Sequence, residues 1–335
     1  LRPATLDEGL TLMKANVYVT RHLPESAREE LEAACEVTIW DKEYPPPYET
    51  VLENLPGKEG LVCLLTDRID APLMDAGPDL KVISQVAVGY DNIDVDAATA
   101  RGIAVGNTPG VLTDATADFA FTLLLSAARR IGEAYDYVRE GKWETWGLTL
   151  LLGQEVYGAT LGIVGLGRIG QAVAKRARGF DMKVLYHNRS RLPDAEAELG
   201  VEYRDFESLL CESDFVSLHV DLNEETRGLI DANALSLMKP TAVLINTARG
   251  PVVDNDSLYD ALKAGQIAYA ALDVTDPEPL PADHKLLTLP NCLVAPHIAS
   301  ATVASRTLMA QMAVRNCIAG VRGEPLPYAV NLTRN

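Results

Sequence analysis

An apolar run over 160–166, TLGIVGL, passes into Gly165-x-Gly167-x-x-Gly170 and straight on into a helical pattern, RIGQAVAKRA. Few features restrict a fold as much. A G-x-G-x-x-G alone is weak, but one that closes a strand and opens a helix has the context of a phosphate-binding turn. Gly165 permits the tight turn, Gly167 lets the backbone approach a pyrophosphate, and Gly170 lets helix and strand pack closely. The first N–H groups of the helix lack partners within it and favour an anion. The turn, including Leu166, is therefore read as cofactor-binding. The plainer alternative is a glycine-rich turn with no ligand.

Strand-like runs recur on both sides of this turn. Before it they fall at 16–20, 36–40, 60–65, 81–88 and 103–107; from it onward at 160–166, 183–188, 214–220, 242–248, 267–274 and 292–297. Helical patterns lie between them, such as PESAREELEAAC at 24–35 and a long one over roughly 114–140 with Thr113 or Asp114 as N-cap. Continuous apolar strands alternating with helices imply parallel sheets covered on both faces. Two such series imply α/β architecture: two Rossmann-like, doubly wound domains. A final helix, about 301–322, has no strand after it and is expected to return to the first domain, making that domain discontinuous. The expected limits are 1–112 with 302–335 for one domain and 113–301 for the other. Residues 1–12 carry no pattern, and Met13 is a plausible start.

The 335 residues carry a net charge of −17, which disfavours nucleic acid and anionic membrane surfaces as partners. No run reaches the roughly 18 apolar residues of a membrane span, and no signal-peptide pattern opens the chain. The five cysteines are scattered, odd in number and without a C-x-x-C pair, which suits a reducing compartment and a cytoplasmic protein. No spacing resembles a metal site.

In VLYHNRSR (184–191) a strand ends where many dinucleotide-binding domains place an acid. An acid there accepts from the adenosine ribose and repels a 2′-phosphate. Here Asn188 is neutral, and Arg189, Ser190 and Arg191 can donate to a phosphate. NADP(H) is therefore expected, with NAD(H) possible: Asn188 could bond an NAD ribose while the arginines remain solvated.

Three later strands end in side chains suited to reducing a carbonyl beside a carboxylate. LINTARG ends in Arg249, a carboxylate grip or carbonyl polariser. CLVAPHIAS carries His297, able to give and take a proton near neutral pH. ALDVTDPEP supplies Glu278, which would favour the protonated imidazole if it touched it. Ligands bind at the carboxyl ends of such strands. Each residue has a plainer reading: Arg249 caps a helix or pairs with Asp254, Glu278 is a solvated loop acid, and His297 is a satisfied core histidine. His187 neighbours the nucleotide turn and could line it.

Arg249, Glu278 and His297, in that order after the glycine turn, resemble the D-2-hydroxyacid dehydrogenase family over nearly the whole chain. VAVGYDNIDVDAATARGIAVGNTPGVLTDATAD and LDVTDPEPLPADHKLLTLPNCLVAPHIASAT look most like its glyoxylate/hydroxypyruvate reductase branch. The resemblance implies that backbone amides of Val88 and Gly89 bind the substrate carboxylate together with Arg249. It implies that His297, paired with Glu278, is the acid–base. Thr113, Arg168, Ile169, Thr247, Ala248 and Asp273 match cofactor positions, and Ser300 a substrate position. It also implies a homodimer whose arm, near EGKWETWG, carries Trp146 or Trp143 to the partner's site. The chain departs from the family at Ala299, where H-I-G-S is usual, so an extra methyl lies near the nicotinamide, and at Asp221, where Pro is frequent. The expected activity is reduction of a small 2-oxo acid, glyoxylate or hydroxypyruvate. The rivals are a sister D-3-phosphoglycerate or D-lactate dehydrogenase and a dinucleotide-sensing corepressor on the same fold.

Overall fold

The computed structural model describes residues 14–332, so residues 1–12 and Met13 lie outside the described residues. The described chain divides into two compact units: one runs to Val111 and resumes at Arg306, the other is Leu112–Ser305.

The first unit holds five parallel strands: β1 (Asn16–Val19), β2 (Glu36–Ile39), β3 (Gly60–Cys63), β4 (Val82–Gln85) and β5 (Ala104–Gly106), in the order β2-β1-β3-β4-β5. β3 and β4 are buried at every position. That explains why neither alternates apolar with polar residues: GLVC is apolar throughout, and VISQ turns polar only at Ser84 and Gln85. One face packs Leu61, Ile83 and Val105 against Leu73 and Met74 of the helix Ala71–Ala76. The other packs Val17, Val62 and Val82 against Ala310, Val314 and Cys317 of the last helix, Val303–Val321. That helix settles onto the sheet at Gly320, where a Cβ would overlap Val82. Ser84, buried in β4, donates to the Ala313 carbonyl at 2.7 Å. The discontinuous domain completed by the C-terminal helix is thus present.

The second unit holds seven parallel strands: β6 (Thr160–Val164), β7 (Lys183–His187), β8 (Glu202–Tyr203), β9 (Phe215–Leu218), β10 (Val243–Asn246), β11 (Tyr269–Leu272) and β12 (Cys292–Val294). Their order is β12-β11-β10-β9-β6-β7-β8. The chain reverses direction across the sheet at β6 and β9, and the crevice beyond their carboxyl ends is where doubly wound sheets bind nucleotides. Apolar layers cover both faces, one around Phe121, Leu124, Ile163 and Val173, the other around Leu218, Leu235, Leu244 and Leu258. Each fully buried residue of this kind contributes about 1.5–3 kcal/mol.

Two local expectations are corrected. The single long helix over 114–140 is two, Thr113–Ala128 and Ile131–Arg139, broken where Arg130 takes a left-handed φ of 51°. Gly132 lies in the first turn of the second helix, and Arg130 itself forks onto Glu133 at 2.9 and 2.6 Å. Nor do Thr113 or Asp114 cap the first of these helices. Its N-cap is Leu112, with no side-chain cap, and Asp114 and Asp118 are both paired with Arg176 instead. The two-residue β8 has no counterpart in the expected strands.

Candidate active site

The glycine turn sits at the end of β6. Gly165 has φ +95°, and a Cβ there would strike the His219 backbone; a Cβ at Gly170 would strike the Gly165 carbonyl. Gly167 is the N-cap of the helix Arg168–Ala177, and a Cβ built there meets nothing within 4 Å. Tight packing at two glycines and open space at the third leave room for a pyrophosphate at the helix N-terminus.

At the end of β7, Asn188 Oδ1 accepts from the Leu166 N–H at 2.7 Å and fastens the turn. What Asn188 then offers a ligand is its Nδ2 donors. Arg189 is exposed and lies 3.5 Å from Glu225. Arg191 forks onto Glu196 at 2.7 Å through both Nε and Nη2. The Arg191 hydrogen bond, then that of Tyr186, draws the Glu196 carboxyl down to about 2. Arg189 and Ser190 are therefore the two residues of this run with the fewest commitments. His187 does not line the turn: its Nδ1 meets the Arg204 carbonyl at 3.1 Å and its ring packs on Tyr203 and Phe206. His219 is half-buried; desolvation lowers its pKa to about 4, and its Nε2 meets Ser217 Oγ at 2.8 Å.

Three further strands deliver the reacting groups. After β10, Asn246 folds the chain back on itself: its Nδ2 donates to the Arg249 carbonyl at 2.9 Å and its Oδ1 accepts from Ala248 N–H at 3.0 Å. Arg249 Nη1 donates to the Ala248 carbonyl at 2.8 Å. Gly250 must follow, because a Cβ there would fall on the Thr275 carbonyl of the loop that carries Glu278. In that loop Glu278 Oε2 accepts from Thr275 N–H at 3.3 Å, and Oε1 meets His297 Nδ1 at 2.5 Å. Burial alone would raise the Glu278 carboxyl. The His297 hydrogen bond and charge, the Thr275 N–H and the Arg249 charge outweigh burial and hold it below its ordinary value. An ionised Glu278 can only accept, so Nδ1 carries the proton between them.

His297 has φ +55°, left-handed backbone that a non-glycine residue adopts at a cost. The turn is held by Asp273, buried at the end of β11. Its backbone carbonyl accepts from His297 N–H at 2.9 Å, and its two carboxylate oxygens accept from the Ile298 and Ala299 N–H groups, each at 2.8 Å. Burial raises the Asp273 carboxyl, and these two amides pull it part of the way back. Ala299 is not among the residues with positive φ, so a methyl fits where the family usually has glycine. This clamp was not visible in the sequence: no short-range pattern links Asp273 to residues 25 and 26 positions later.

The structure thus brings Arg249, Glu278 and His297 to one end of one sheet, with the glycine turn, Thr247, Ala248, Asp273, Ala299 and Ser300. Thr247 Oγ1 is buried with no hydrogen-bond partner, an orphan that a bound cofactor would satisfy. Thr113 opens the helix Thr113–Ala128, and Arg168 and Ile169 open the helix after the turn. Trp146 stands in the same unit and is 77% exposed. Val88 and Gly89 follow β4 in the other unit.

Residues 121–299 match the family model described as D-isomer specific 2-hydroxyacid dehydrogenase, NAD binding domain. A glyoxylate reductase of Korarchaeum cryptofilum is 55% identical over 320 residues, covering 95% of this chain and 96% of that protein. A protein of Thermus thermophilus whose crystal structure is known superposes with a TM-score of 0.89 at 47% identity, over 94% of this chain and 100% of that one. The NADPH-dependent glyoxylate/hydroxypyruvate reductase of Sinorhizobium meliloti, solved with NADP and malonate, gives 0.84 at 33% identity, over 95% and 97%. The chain belongs to the D-isomer specific 2-hydroxyacid dehydrogenase family. It is an oxidoreductase that uses a nicotinamide dinucleotide, and the glycine turn, the helix N-terminus and the orphaned Thr247 hydroxyl fit that group.

Proposed function

We propose that this protein reduces glyoxylate to glycolate and hydroxypyruvate to D-glycerate, with NADPH the favoured donor. The observation that carries the reading is the 2.5 Å pair of His297 Nδ1 and Glu278 Oε1 beside the charge of Arg249. The bound dinucleotide supplies the hydride. Arg249 grips the substrate carboxylate and polarises the keto oxygen, a placement of positive charge that is a large term in such reactions. The backbone amides of Val88 and Gly89 are further proposed donors to a substrate carboxylate. With Nδ1–H given to Glu278, which stabilises the imidazolium, His297 delivers its Nε2 proton to the substrate oxygen as the hydride arrives and is left neutral. Asn188 steadies the phosphate turn, while Arg189 and Ser190 meet a 2′-phosphate.

The helix Ile131–Arg139 buries none of its residues and exposes Ile131, Tyr135 and Val138 at helical spacing, close in sequence to exposed Trp143, Trp146 and Leu148. So much exposed apolar side chain supports a homodimer, with Trp146 reaching the partner's site. Five unpaired cysteines support a reducing, cytoplasmic setting.

The test is initial-rate kcat/KM for both 2-oxo acids with NADPH and NADH side by side. Fast turnover without any partner protein, with a clear NADPH preference that Arg189→Ala abolishes, is the expected result. An NADH preference would overturn the reading of the Asn188–Ser190 turn. Absence of turnover would send the assignment to a sister substrate or to a corepressor.

A further inference from the structure

The loop after β4 is fixed by its carbonyls. The Ala87 carbonyl accepts from Thr108 N–H at 2.9 Å, that of Val88 from Asn107 Nδ2 at 2.8 Å, and that of Gly89 from Gln85 Nε2 at 3.2 Å. Three consecutive peptides are thus held on one side. In a trans peptide the C=O and the following N–H point opposite ways. The bond to Ala87 therefore sets the direction of the Val88 N–H, and the bond from Asn107 sets that of the Gly89 N–H. Neither N–H donates to any group among the described residues.

The donors are themselves oriented. Gln85 is fully buried; its Oε1 faces Cys63 Sγ at 3.2 Å, which leaves Nε2 to donate to Gly89 and to Asn92 Oδ1, the latter at 2.7 Å. Asn92 in turn donates to the Leu64 and Asp67 carbonyls at 3.1 and 2.7 Å. Asn107 is anchored by its own backbone, its N–H on the Tyr328 carbonyl and its carbonyl on Asn316 Nδ2. A carbonyl can only accept, so each amide side chain must present nitrogen to the loop.

We infer that Asn107 is a positioning residue, which turns the Gly89 N–H away from the loop's own bonds beside the Val88 N–H set by Thr108, as a two-point seat for the substrate carboxylate, and that Gln85 supports it by holding the far side of Gly89 through its carbonyl. This rests on the proposed reductase activity and deepens it. Neither side chain touches the reacting atoms. Their effect falls on affinity for the carboxylate, in ground state and transition state alike, and so on KM rather than kcat.

The experiment uses the full-length enzyme and compares wild type, Asn107→Ala and Gln85→Met. It measures kcat and KM for glyoxylate, Ki for oxalate as a carboxylate that is not turned over, and KM for the dinucleotide. A charge-assisted hydrogen bond lost from one of two seats corresponds to a weakening of roughly tenfold. The glyoxylate KM and the oxalate Ki should rise together by about that factor, with kcat and the dinucleotide KM within about twofold of wild type. Asn107→Asp adds a pH signature: its excess in KM over wild type should shrink in acid, where a protonated carboxyl can again donate to the Val88 carbonyl. If Gln85→Met fails to fold, Asn107→Ala decides, because the backbone bonds of residue 107 survive the change. An unchanged glyoxylate KM and oxalate Ki in a folded Asn107→Ala overturn the inference and leave the reductase reading standing. A wild-type enzyme with no turnover of either 2-oxo acid removes both.

Discussion

Replacing Asp273 by Asn removes one acceptor from the clamp under His297. The remaining side-chain oxygen can take only one of the two N–H groups now held at 2.8 Å, and the new NH2 confronts the other. A hydrogen bond to a charged group is worth about 1.5–3 kcal/mol. The left-handed backbone at His297 costs about 1–2 kcal/mol. Once the clamp is halved, these terms become comparable, and residue 297 can relax toward ordinary helical φ and carry the imidazole off Glu278. About 2 kcal/mol of lost positioning corresponds to a fall of roughly 30-fold in kcat. Stability should suffer less, because the variant no longer buries a carboxylate. A loss of about 1 kcal/mol would lower Tm by roughly 2–4 °C for a unit of this size. Steady-state kinetics and calorimetry on the same preparation make the test. A kcat within twofold of wild type refutes the clamp. A raised dinucleotide KM with kcat intact would instead show that Asp273 acts through the cofactor.

Gly250→Ala should force the backbone at Thr275, and with it the Glu278 loop, out of place. Activity should fall at least about tenfold with a stability loss on the order of 2 kcal/mol, and retained activity would mean that the loop tolerates the shift. Glu278 carries a carboxyl held below its ordinary value, so its contribution to stability is present above the carboxylate pKa of the unfolded chain. That contribution is lost as pH falls through the lower folded value. The stability gap between wild type and Glu278→Gln should therefore be flat near neutrality and close in acid, as read from denaturant melts across pH 3–7; a gap that widens in acid contradicts the assignment.

The fold was largely legible because its strands are parallel and buried: β3 and β11 read as unbroken apolar runs, and β4, β9 and β10 are interrupted only by Ser84 and Gln85, by Ser217 and by Asn246. The glycine turn was legible for the same reason, since the constraints at Gly165 and Gly170 are local. Arg249, Glu278 and His297 could be picked out as polar residues closing apolar strands. Their association could not, because it depends on how far the Glu278 loop reaches toward the end of β12. The break at Arg130 was hidden because a residue other than glycine takes the left-handed φ there. That Asn188 also fastens the glycine turn was not visible in the sequence. Its bond to Leu166 spans 22 residues and follows only from the pairing of β6 with β7.

The last helix has a consequence for the order in which the chain can fold. Residues 112–305 form a continuous stretch, so the nucleotide-binding unit has all of its sequence once residue 305 has been synthesised. The first unit is made earlier but must wait: one face of its sheet is covered only in part, by Ala27 and Leu31, until Ala310, Val314 and Cys317 emerge, and Ser84 meets its partner 229 residues later. Domains of a growing chain ordinarily close from the N-terminus onward. Here the unit made first is the last to be completed, and an apolar sheet face is left half covered for most of synthesis.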